Sequence, residues 1–137
     1  DYTVILQPTS PFRHPEDIDA TLEKLILSQA DSAVSLVEIE SSEHPLKIKK
    51  TEHDFVVPYY MEEVEGMRRQ DLPVAYKRSG AVYAMKRDLI VKEKRLYGAK
   101  IVGHVVPRER SIDIDYPLDW VRAEYILAEL KKKGYEF

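Results

Sequence analysis

The chain has 137 residues, of which 44% are apolar and 33% are charged, and its formal net charge is −3. These proportions fit one folded domain with a core and exclude a disordered or low-complexity segment. The slight negative charge argues against nucleic-acid binding by bulk phosphate neutralisation, and the lack of cysteine excludes disulfides, thiolate catalysis and common zinc sites. No apolar run reaches the roughly 20 residues of a membrane span. Since residues 1–6 also lack a secretory pattern, we expect a cytoplasmic protein that binds neither membranes nor nucleic acid.

The first 40 residues predict a strand, a helix and a second strand. Residues 2–6 form a continuous apolar run, which is typical of a strand buried on both faces, and a chain that opens on such a strand leads us to expect further sequence upstream. Pro15 and two acidic residues after it predict the start of a helix. Residues 33–39 predict the second strand, and the unit implies an α/β fold with a parallel sheet. The apolar face of the helix would hold Ile18, Leu22, Leu25 and Ile26.

The middle of the chain shows no lasting period between residues 41 and 79. Short extended pieces at residues 46–50 and 55–60 indicate a β-rich excursion from the main sheet. Two further strands and a short helix are predicted at residues 81–85, 100–106 and 87–91.

A final helix is predicted to begin at Pro117 and to end near Gly134, after three lysines that offset the dipole of its C-terminus. We expect its buried stripe to contain Leu118, Val121, Tyr125 and Ala128, widened by Ile126 and Leu130.

The segment before that helix carries two aspartates, Asp113 and Asp115, with one residue between them. In an extended segment such residues share one face, and their Cα atoms lie about 6.6 Å apart. Magnesium typically takes one or two protein carboxylates and completes its shell with water and phosphate oxygens. In an alternative interpretation, Asp115 only caps the final helix and Asp113 faces solvent. The spacing alone leaves both open.

A loop with two prolines follows the first strand and contains Gln7, Thr9 and Ser10. Ligands in open α/β sheets bind at the carboxyl ends of strands, and amide and hydroxyl groups suit a polyol or a phosphate. The alternative is local turn chemistry by the two hydroxyl residues.

Four cations lie within eleven residues, beside a glycine that permits close approach of the backbone. The arginine fork matches a carboxylate or a phosphate through paired donors, although such a cluster is also typical of an exposed surface. The cations are Arg68, Arg69, Lys77 and Arg78.

Several motifs occur in one order, and together they resemble the CMP-sialic acid synthetase family (acylneuraminate cytidylyltransferases). The resemblance spans the whole chain. Its motifs lie at residues 6–13, 69–73, 80–83 and 111–115, with Asp119-Trp120 and Ala123-Glu124 after them.

This resemblance implies an enzyme that transfers CMP from CTP to a nine-carbon 2-keto sugar acid and releases pyrophosphate, with magnesium or, alternatively, manganese. It implies a doubly wound, mostly parallel α/β sheet like that of nucleotide-diphospho-sugar transferases. It also implies that the excursion, at residues 44–79, is a dimerisation arm exchanged between the subunits of a homodimer. Capsule or lipopolysaccharide synthesis is the expected setting.

The resemblance also implies roles for individual residues. Asp113 and Asp115 would hold the metal and act in catalysis. Two cations, Arg69 and Lys77, would contact the carboxylate of the sugar, in this family by entering the site of the neighbouring subunit. The other residues beside the sugar would be Gln7, Tyr83, Leu96 and Tyr97.

The sequence departs from the family pattern at Ser79, Lys77 and Tyr116, where asparagine, arginine and threonine are usual. These departures leave the identity of the sugar open. The glycine-rich nucleotide loop of the family is absent, so the resemblance implies that residues 1–137 are the C-terminal portion of a single cytidylyltransferase domain, inactive alone. The alternatives are a non-catalytic sugar-binding or dimerisation module and an enzyme for an eight-carbon keto sugar acid. The two aspartates favour an enzyme, because a module without metal-assisted transfer does not need both.

Overall fold

The computed structural model describes residues 1–61 and 65–135. They divide into two compact units, one made of residues 1–37 and 78–137 and the other of residues 38–77. Within the described residues, no helix is long and apolar enough to span a bilayer. The strands are β1 (Tyr2–Ile5), β2 (Ser32–Glu38), β3 (Lys49–Glu52), β4 (Phe55–Pro58), β5 (Tyr76–Lys86) and β6 (Ile101–Val105), and the helices are α1 (Pro15–Ser28), α2 (Arg87–Val91) and α3 (Pro117–Lys132).

The first unit is built on a four-stranded sheet with the order β1-β5-β2-β6. β1 and β5 are antiparallel, with Ile5 opposite Tyr83, whereas β2 and β6 are parallel, with Ser32 opposite Ile101. The predicted α/β class is confirmed, but the sheet is mixed and not mostly parallel. The physical reason is that β5 lies between β1 and β2 and runs antiparallel to β1.

The predicted burial of the first strand on both faces is wrong for the described chain. Tyr2 is 44% exposed and Ile5 is 37% exposed. β1 stands at the end of the strand order and pairs only with β5 among the described strands, so the apolar run covers one side of an edge strand.

Helix α1 covers the sheet with Leu25, which is fully buried and packs with Ala30, Ala33 and Ala84. The predicted face is correct at Leu22 and Leu25 but wrong at Ile26, which is 45% exposed. The helix is rotated so that Asp17 and Thr21, eight and four residues before Leu25, are buried. This burial is tolerated because both polar side chains are hydrogen-bonded: Thr21 Oγ1 donates to the Asp17 carbonyl at 2.6 Å, and Arg110 reaches the Asp17 carboxylate.

Helix α3 forms a second core cluster with Phe12, Ala123 and Leu130 at its centre. The predicted stripe is wrong except at its margin, because Leu118, Val121 and Tyr125 are between 60% and 70% exposed. Apolar residues lie on more than one face of α3, and the packing partners select the stripe that is buried. Those partners include Ile112 and Ile114, which pack against the same cluster as Ile126 and Leu127.

The second unit contains an antiparallel hairpin of β3 and β4. Its two-residue turn, His53 and Asp54, has φ values of 50° and 69°, which is the conformation that matches the twist of the strands. The Ile39 N–H donates to the Ala75 carbonyl at 3.0 Å and brings the ends of the unit together. Exchange of the predicted arm at residues 44–79 between subunits stays a prediction.

Candidate functional site

The double-proline loop after β1 is closed by Arg13. Its Nη1 donates to the carbonyl oxygens of Gln7 at 2.8 Å, Ser10 at 3.1 Å and Ala81 at 3.4 Å. Proline removes backbone donors from this loop, so a side chain takes their place in organising its carbonyls. Arg13 therefore fixes the loop against β5 and sets the position of Gln7.

A chain of buried serines connects this loop to the sheet. Ser10 Oγ donates to the Ser79 carbonyl at 3.2 Å, and Ser79 Oγ donates to Ser35 Oγ at 2.7 Å. Ser35 Oγ in turn accepts from the Val82 N–H at 2.8 Å. Because these buried hydroxyls are all hydrogen-bonded, the double-proline loop is held in one position relative to β2 and β5.

Gly80 lets the loop approach β5 closely. Its φ is +78°, and a Cβ atom at this position would lie 2.6 Å from Ser10 Oγ and 3.0 Å from Gln7 Oε1. Any other residue would be strained by the backbone conformation and would push the Gln7 amide away.

The Gln7 amide meets two tyrosines and an arginine. Tyr83 OH donates to Gln7 Oε1 at 3.4 Å, and the Tyr83 and Tyr97 rings lie 6.5 Å apart. Arg78 Nη1 donates to Tyr97 OH at 2.5 Å, and its guanidinium carbon lies 5.3 Å from the Tyr97 ring centroid. We call Gln7, Arg78, Tyr83 and Tyr97 the Tyr83 cluster. It presents aromatic faces, an amide and a cation, a combination that suits an acidic sugar.

Burial and neighbouring charges both shift the pKa of the Tyr83 phenol. Burial raises the pKa of the Tyr83 phenol above its ordinary value, and the neighbouring Tyr97 and Asp113 raise it further, whereas the Arg78 charge opposes them. The phenol is therefore protonated at neutral pH and able to donate a hydrogen bond.

Asp113 and Asp115 lie in an extended segment before α3. Asp113 Oδ1 is buried and has no hydrogen-bond partner among the described residues, whereas Asp115 is exposed. Ile112 and Ile114 both pack into the core cluster of α3, as the predicted alternation requires. The Ile114 N–H donates to the Thr9 carbonyl at 2.8 Å, which joins this segment to the double-proline loop.

The capping interpretation of Asp115 is wrong. The Asp119 carboxylate instead reaches back and accepts from the Tyr116 N–H at 3.0 Å and the Asp115 N–H at 3.2 Å. Neither Asp113 nor Asp115 forms an ion pair with a cation in the described ranges. Both carboxylates are therefore available to a ligand.

A pocket of about 420 Å³ opens beside Asp115. Its lining is mostly apolar and aromatic, with one carboxylate at the edge. The lining residues are Ile114, Asp115, Tyr116, Pro117 and Trp120.

In the described part of the chain, no group of three or more His, Cys, Asp or Glu side chains lies close enough together to hold a metal ion by itself. The two aspartates offer oxygen ligands for a hard cation that completes its shell with water and phosphate, as magnesium does. A buried carboxylate oxygen without a donor fits such a cation, since an unpaired buried oxygen is costly.

The structure brings together only some of the predicted sugar-binding residues. Gln7, Tyr83 and Tyr97 meet in the Tyr83 cluster, whereas Leu96 is 43% exposed. The predicted cations Arg69 and Lys77 belong to the second unit, where Lys77 Nζ lies 3.8 Å from Glu43 Oε2.

Sequence reasoning missed Arg13 and did not place Arg78 in the site. Both were visible, Arg13 as the last residue of a quoted motif and Arg78 as a member of the cation cluster. A spacing pattern does not tell which cation turns toward carbonyl groups and which toward an aromatic ring.

Comparisons with known proteins support the resemblance drawn from the motifs. N-acylneuraminate cytidylyltransferase of Streptococcus agalactiae serotype V is 26% identical over 138 residues, which cover 96% of this chain and 33% of that protein. CMP-N,N'-diacetyllegionaminic acid synthase of Legionella pneumophila is 29% identical over 128 residues, covering 93% of this chain and 54% of that protein. N-acylneuraminate cytidylyltransferase A of Danio rerio is 30% identical over 122 residues, which cover 87% of this chain and 27% of that protein.

The similarity to the CMP-sialic acid synthetase family is thereby confirmed, and its named members are nucleotidyltransferases. The chain spans about a third of the length of the streptococcal relative and about half that of the Legionella relative. No model of a known protein family matches the chain.

Proposed function

We propose that this chain is the sugar-side and metal-side part of a cytidylyltransferase that transfers CMP from CTP to a nine-carbon sialic acid-like 2-keto sugar acid. The observation that carries the proposal is the unpartnered, buried Asp113 Oδ1, in a segment that is hydrogen-bonded to the double-proline loop through Ile114 and Thr9. Similarity over nearly the whole chain to proteins named for this activity supports it.

In this proposal Asp113 and Asp115 hold a magnesium ion, with manganese as a substitute. The bound ion would neutralise charge on the triphosphate. Asp113 Oδ1 is buried and Asp115 is exposed, and both would serve as oxygen ligands while phosphate and water would complete the shell of the ion.

The Tyr83 cluster would bind the sugar. Tyr83 OH donates to Gln7 Oε1, so the Tyr83 oxygen would accept from a sugar hydroxyl and the Gln7 amide N–H would donate to one. Tyr97 and Leu96 would cover the apolar edge of the sugar ring. Arg69 and Lys77, from the second unit, are the proposed contacts of the sugar carboxylate.

The transfer would begin with the anomeric hydroxyl oxygen of the sugar attacking the α-phosphorus of CTP. A bond forms between these two atoms, and the bond from the α-phosphorus to the bridging oxygen breaks, so pyrophosphate leaves. The hydroxyl proton passes to water. Holding the two reactants in line supplies much of the rate enhancement, which is the task of the sugar-binding residues.

The rest of the proposal concerns the assembly. The mixed four-stranded sheet would be part of a larger doubly wound sheet, and the protein would be a cytoplasmic homodimer with the segment at residues 44–79 exchanged between subunits. The exposed Phe55, Tyr59 and Tyr60 of the second unit offer an apolar surface for that exchange. Residues 1–137 alone would not turn over.

The test is pyrophosphate release by the natural polypeptide that contains these residues, supplied with CTP, magnesium and either N-acetylneuraminic acid or N,N'-diacetyllegionaminic acid. We expect turnover with at least one of the two sugars. We expect Asp113→Asn and Asp115→Ala to lower the rate by a factor of about 100 or more. Binding of Mn²⁺, followed by its electron paramagnetic resonance signal, should weaken in both variants.

The matched control is Asp19→Asn, which removes an exposed carboxylate of α1. It should leave both turnover and Mn²⁺ binding unchanged. A protein that binds either sugar but releases no pyrophosphate, and that keeps this binding in Asp115→Ala, would favour the non-catalytic module. Full turnover in Asp115→Ala would overturn the proposed metal-binding role of Asp115. Release with only an eight-carbon keto sugar acid would keep the reaction and overturn the proposed substrate class.

A further inference from the structure

Tyr97 belongs to the Tyr83 cluster but lies on neither a helix nor a strand. It is part of residues 92–100, between α2 and β6, which we call the Tyr97 loop. A side chain on such a segment is positioned by the contacts that hold the backbone of the segment. The contacts between the Tyr97 loop and the sheet therefore decide where the Tyr97 ring lies beside Tyr83.

The end of the Tyr97 loop is held by Asp31, the residue before β2. Asp31 Oδ2 accepts from the Lys100 N–H at 3.0 Å, and Asp31 Oδ1 accepts from Lys86 Nζ at 2.9 Å. Two backbone bonds accompany them, since the Asp31 N–H donates to the Lys100 carbonyl at 2.9 Å and the Asp31 carbonyl accepts from the Lys86 N–H at 3.0 Å. Asp31 thus joins the Tyr97 loop to the end of β5, the strand that contains Tyr83.

Gly98, the residue after Tyr97, packs directly against the Asp31 side chain. A Cβ atom at Gly98 would lie 2.2 Å from Asp31 Cβ and 2.9 Å from Asp31 Cγ, which is closer than packed atoms approach. The Gly98 N–H also donates to Ser32 Oγ at 3.4 Å. Because consecutive Cα atoms are about 3.8 Å apart, a displacement of Gly98 moves the Tyr97 backbone with it.

The far end of the Tyr97 side chain meets the other members of the Tyr83 cluster. Tyr97 OH accepts from Arg78 Nη1 at 2.5 Å, and the Tyr97 ring centroid lies 6.5 Å from that of Tyr83. The ring is therefore held at both ends, by Asp31 through the backbone and by the cluster through the hydroxyl. A displacement of about 1 Å in a positioning group can cost a large factor in binding or rate, so the anchor at Asp31 matters for the site.

We propose that Asp31 is a positioning residue for Tyr97 and thereby sets the affinity of the Tyr83 cluster for its sugar ligand. The identity of the ligand rests on the proposed function, whereas the positioning rests on the contacts of Asp31 and Gly98. Asp31 belongs to none of the motifs that resemble the family, and its role follows from the fold that brings residues 31, 86, 98 and 100 together.

The first test follows Tyr97 itself, in the natural polypeptide labelled with fluorotyrosine, with the fluorine NMR signal of Tyr97 assigned by its loss in Tyr97→Phe. We expect Asp31→Asn, which removes the charge, and Gly98→Ala, which pushes the loop away from Asp31, each to shift this signal at a temperature where the protein is folded. Gly98→Ala keeps the test decisive if Asp31→Asn does not fold.

The matched control is Asp88→Asn. Asp88 lies on α2 and pairs with Lys92, at the other end of the Tyr97 loop, at 2.7 Å on the surface. This variant also removes a carboxylate that contacts the loop, but it should leave the Tyr97 signal in place.

The second test asks whether Asp31 acts through Tyr97. We expect Asp31→Asn to raise KM for the sugar acid about 10-fold, with kcat and KM for CTP nearly unchanged. In a double-mutant cycle, Asp31→Asn should add almost nothing to the loss caused by Tyr97→Ala, because the ring that Asp31 positions is then missing. Calorimetric titration with the sugar acid gives the same comparison without turnover.

An unchanged Tyr97 signal in both Asp31→Asn and Gly98→Ala, or an equal shift in Asp88→Asn, would overturn the positioning role. Additive losses of sugar-acid affinity in the double-mutant cycle would overturn it as well. If the unchanged protein neither turns over nor binds the sugar acid, the proposed function fails, and the fluorine signal still decides whether Asp31 positions Tyr97.

Discussion

Arg110 Nη2 donates to Asp17 Oδ1 at 2.8 Å and joins residues 93 positions apart in the sequence. Both residues are buried. The Asp17 carboxylate also accepts from the His14 N–H at 2.9 Å, at the start of α1. This one carboxylate therefore ties the first helix to the segment that leads into Asp113.

We predict that Asp17→Asn destabilises the fold by about 3–5 kcal/mol, because it leaves the buried Arg110 charge without a counter-ion. The free energy of unfolding in urea is the measurement. Asp88→Asn is the matched control, since Asp88 pairs with Lys92 at 2.7 Å on the surface and its loss should barely move the midpoint. Equal losses in the two variants would contradict the prediction.

Gly80→Ala is predicted to lower stability by about 2–4 kcal/mol, from backbone strain and from contact with Ser10 and Gln7. Gly134→Ala isolates the strain, because Gly134 also has a positive φ but has nothing within 4 Å of its would-be Cβ. Urea unfolding should show a smaller loss for Gly134→Ala. Only Gly80→Ala should also weaken the proposed binding of a sugar acid, since it displaces the Gln7 amide. Similar behaviour of the two variants would count against close packing at Gly80.

Acid should weaken the fold partly through Asp31. Its carboxylate accepts from the Lys100 N–H at 3.0 Å and from Lys86 Nζ at 2.9 Å, and these contacts, led by the backbone donor, hold its pKa below the ordinary 3.8. A lowered folded-state pKa stabilises the fold above the unfolded value, and that contribution is lost as the pH falls through 3.8 and below.

Asp31→Asn should therefore destabilise the protein at neutral pH and lose this effect in acid. The measurement is the urea midpoint of both proteins between about pH 6 and about pH 2. Asp19→Asn serves as the control and should run parallel to the unchanged protein at every pH. A constant offset for Asp31→Asn across the range would show that ionisation of Asp31 is not involved.

High pH should lower the stability of the fold through ionisation of Tyr83. Since burial raises its pKa above 10.0, its contribution to stability is complete below that value and is lost as the pH rises through the higher folded-state pKa. Tyrosinate absorbance should show one group that ionises late, and Tyr83→Phe should remove it. If the late group persists in Tyr83→Phe, another tyrosine is responsible.

The sequence was sufficient for features that depend on local spacing. The alternation around Ile112 and Ile114, the start of α1 at Pro15 and the start of α3 at Pro117 follow from neighbouring residues alone. The same spacing proposed two aspartates on one face, and the structure leaves both without a cationic partner; their metal-binding role stays a prediction.

Features that depend on distant partners were not predictable in this way. The buried face of α3 was misassigned because Leu118 and Val121 fit a helical period as well as Ala123 and Leu130 do, and only packing with Phe12 decides between them. Strand order was missed for the same reason, since nothing local places β5 between β1 and β2. Asp17 suits a helix start in sequence, and its burial depends on Arg110 at the far end of the unit.

The hydrogen-bonded hydroxyls from Ser35 to Ser10 have a consequence for how the position of the double-proline loop can be changed. Ser35 Oγ, a buried atom on β2, is connected to the double-proline loop through Ser79 and so helps to hold Gln7 in place. Ser35→Ala, which replaces that hydroxyl with hydrogen, should change the affinity of the Tyr83 cluster for its proposed ligand, although none of the four residues of the cluster is changed. Binding at the Tyr83 cluster can therefore be altered from a buried residue that is not a member of that cluster.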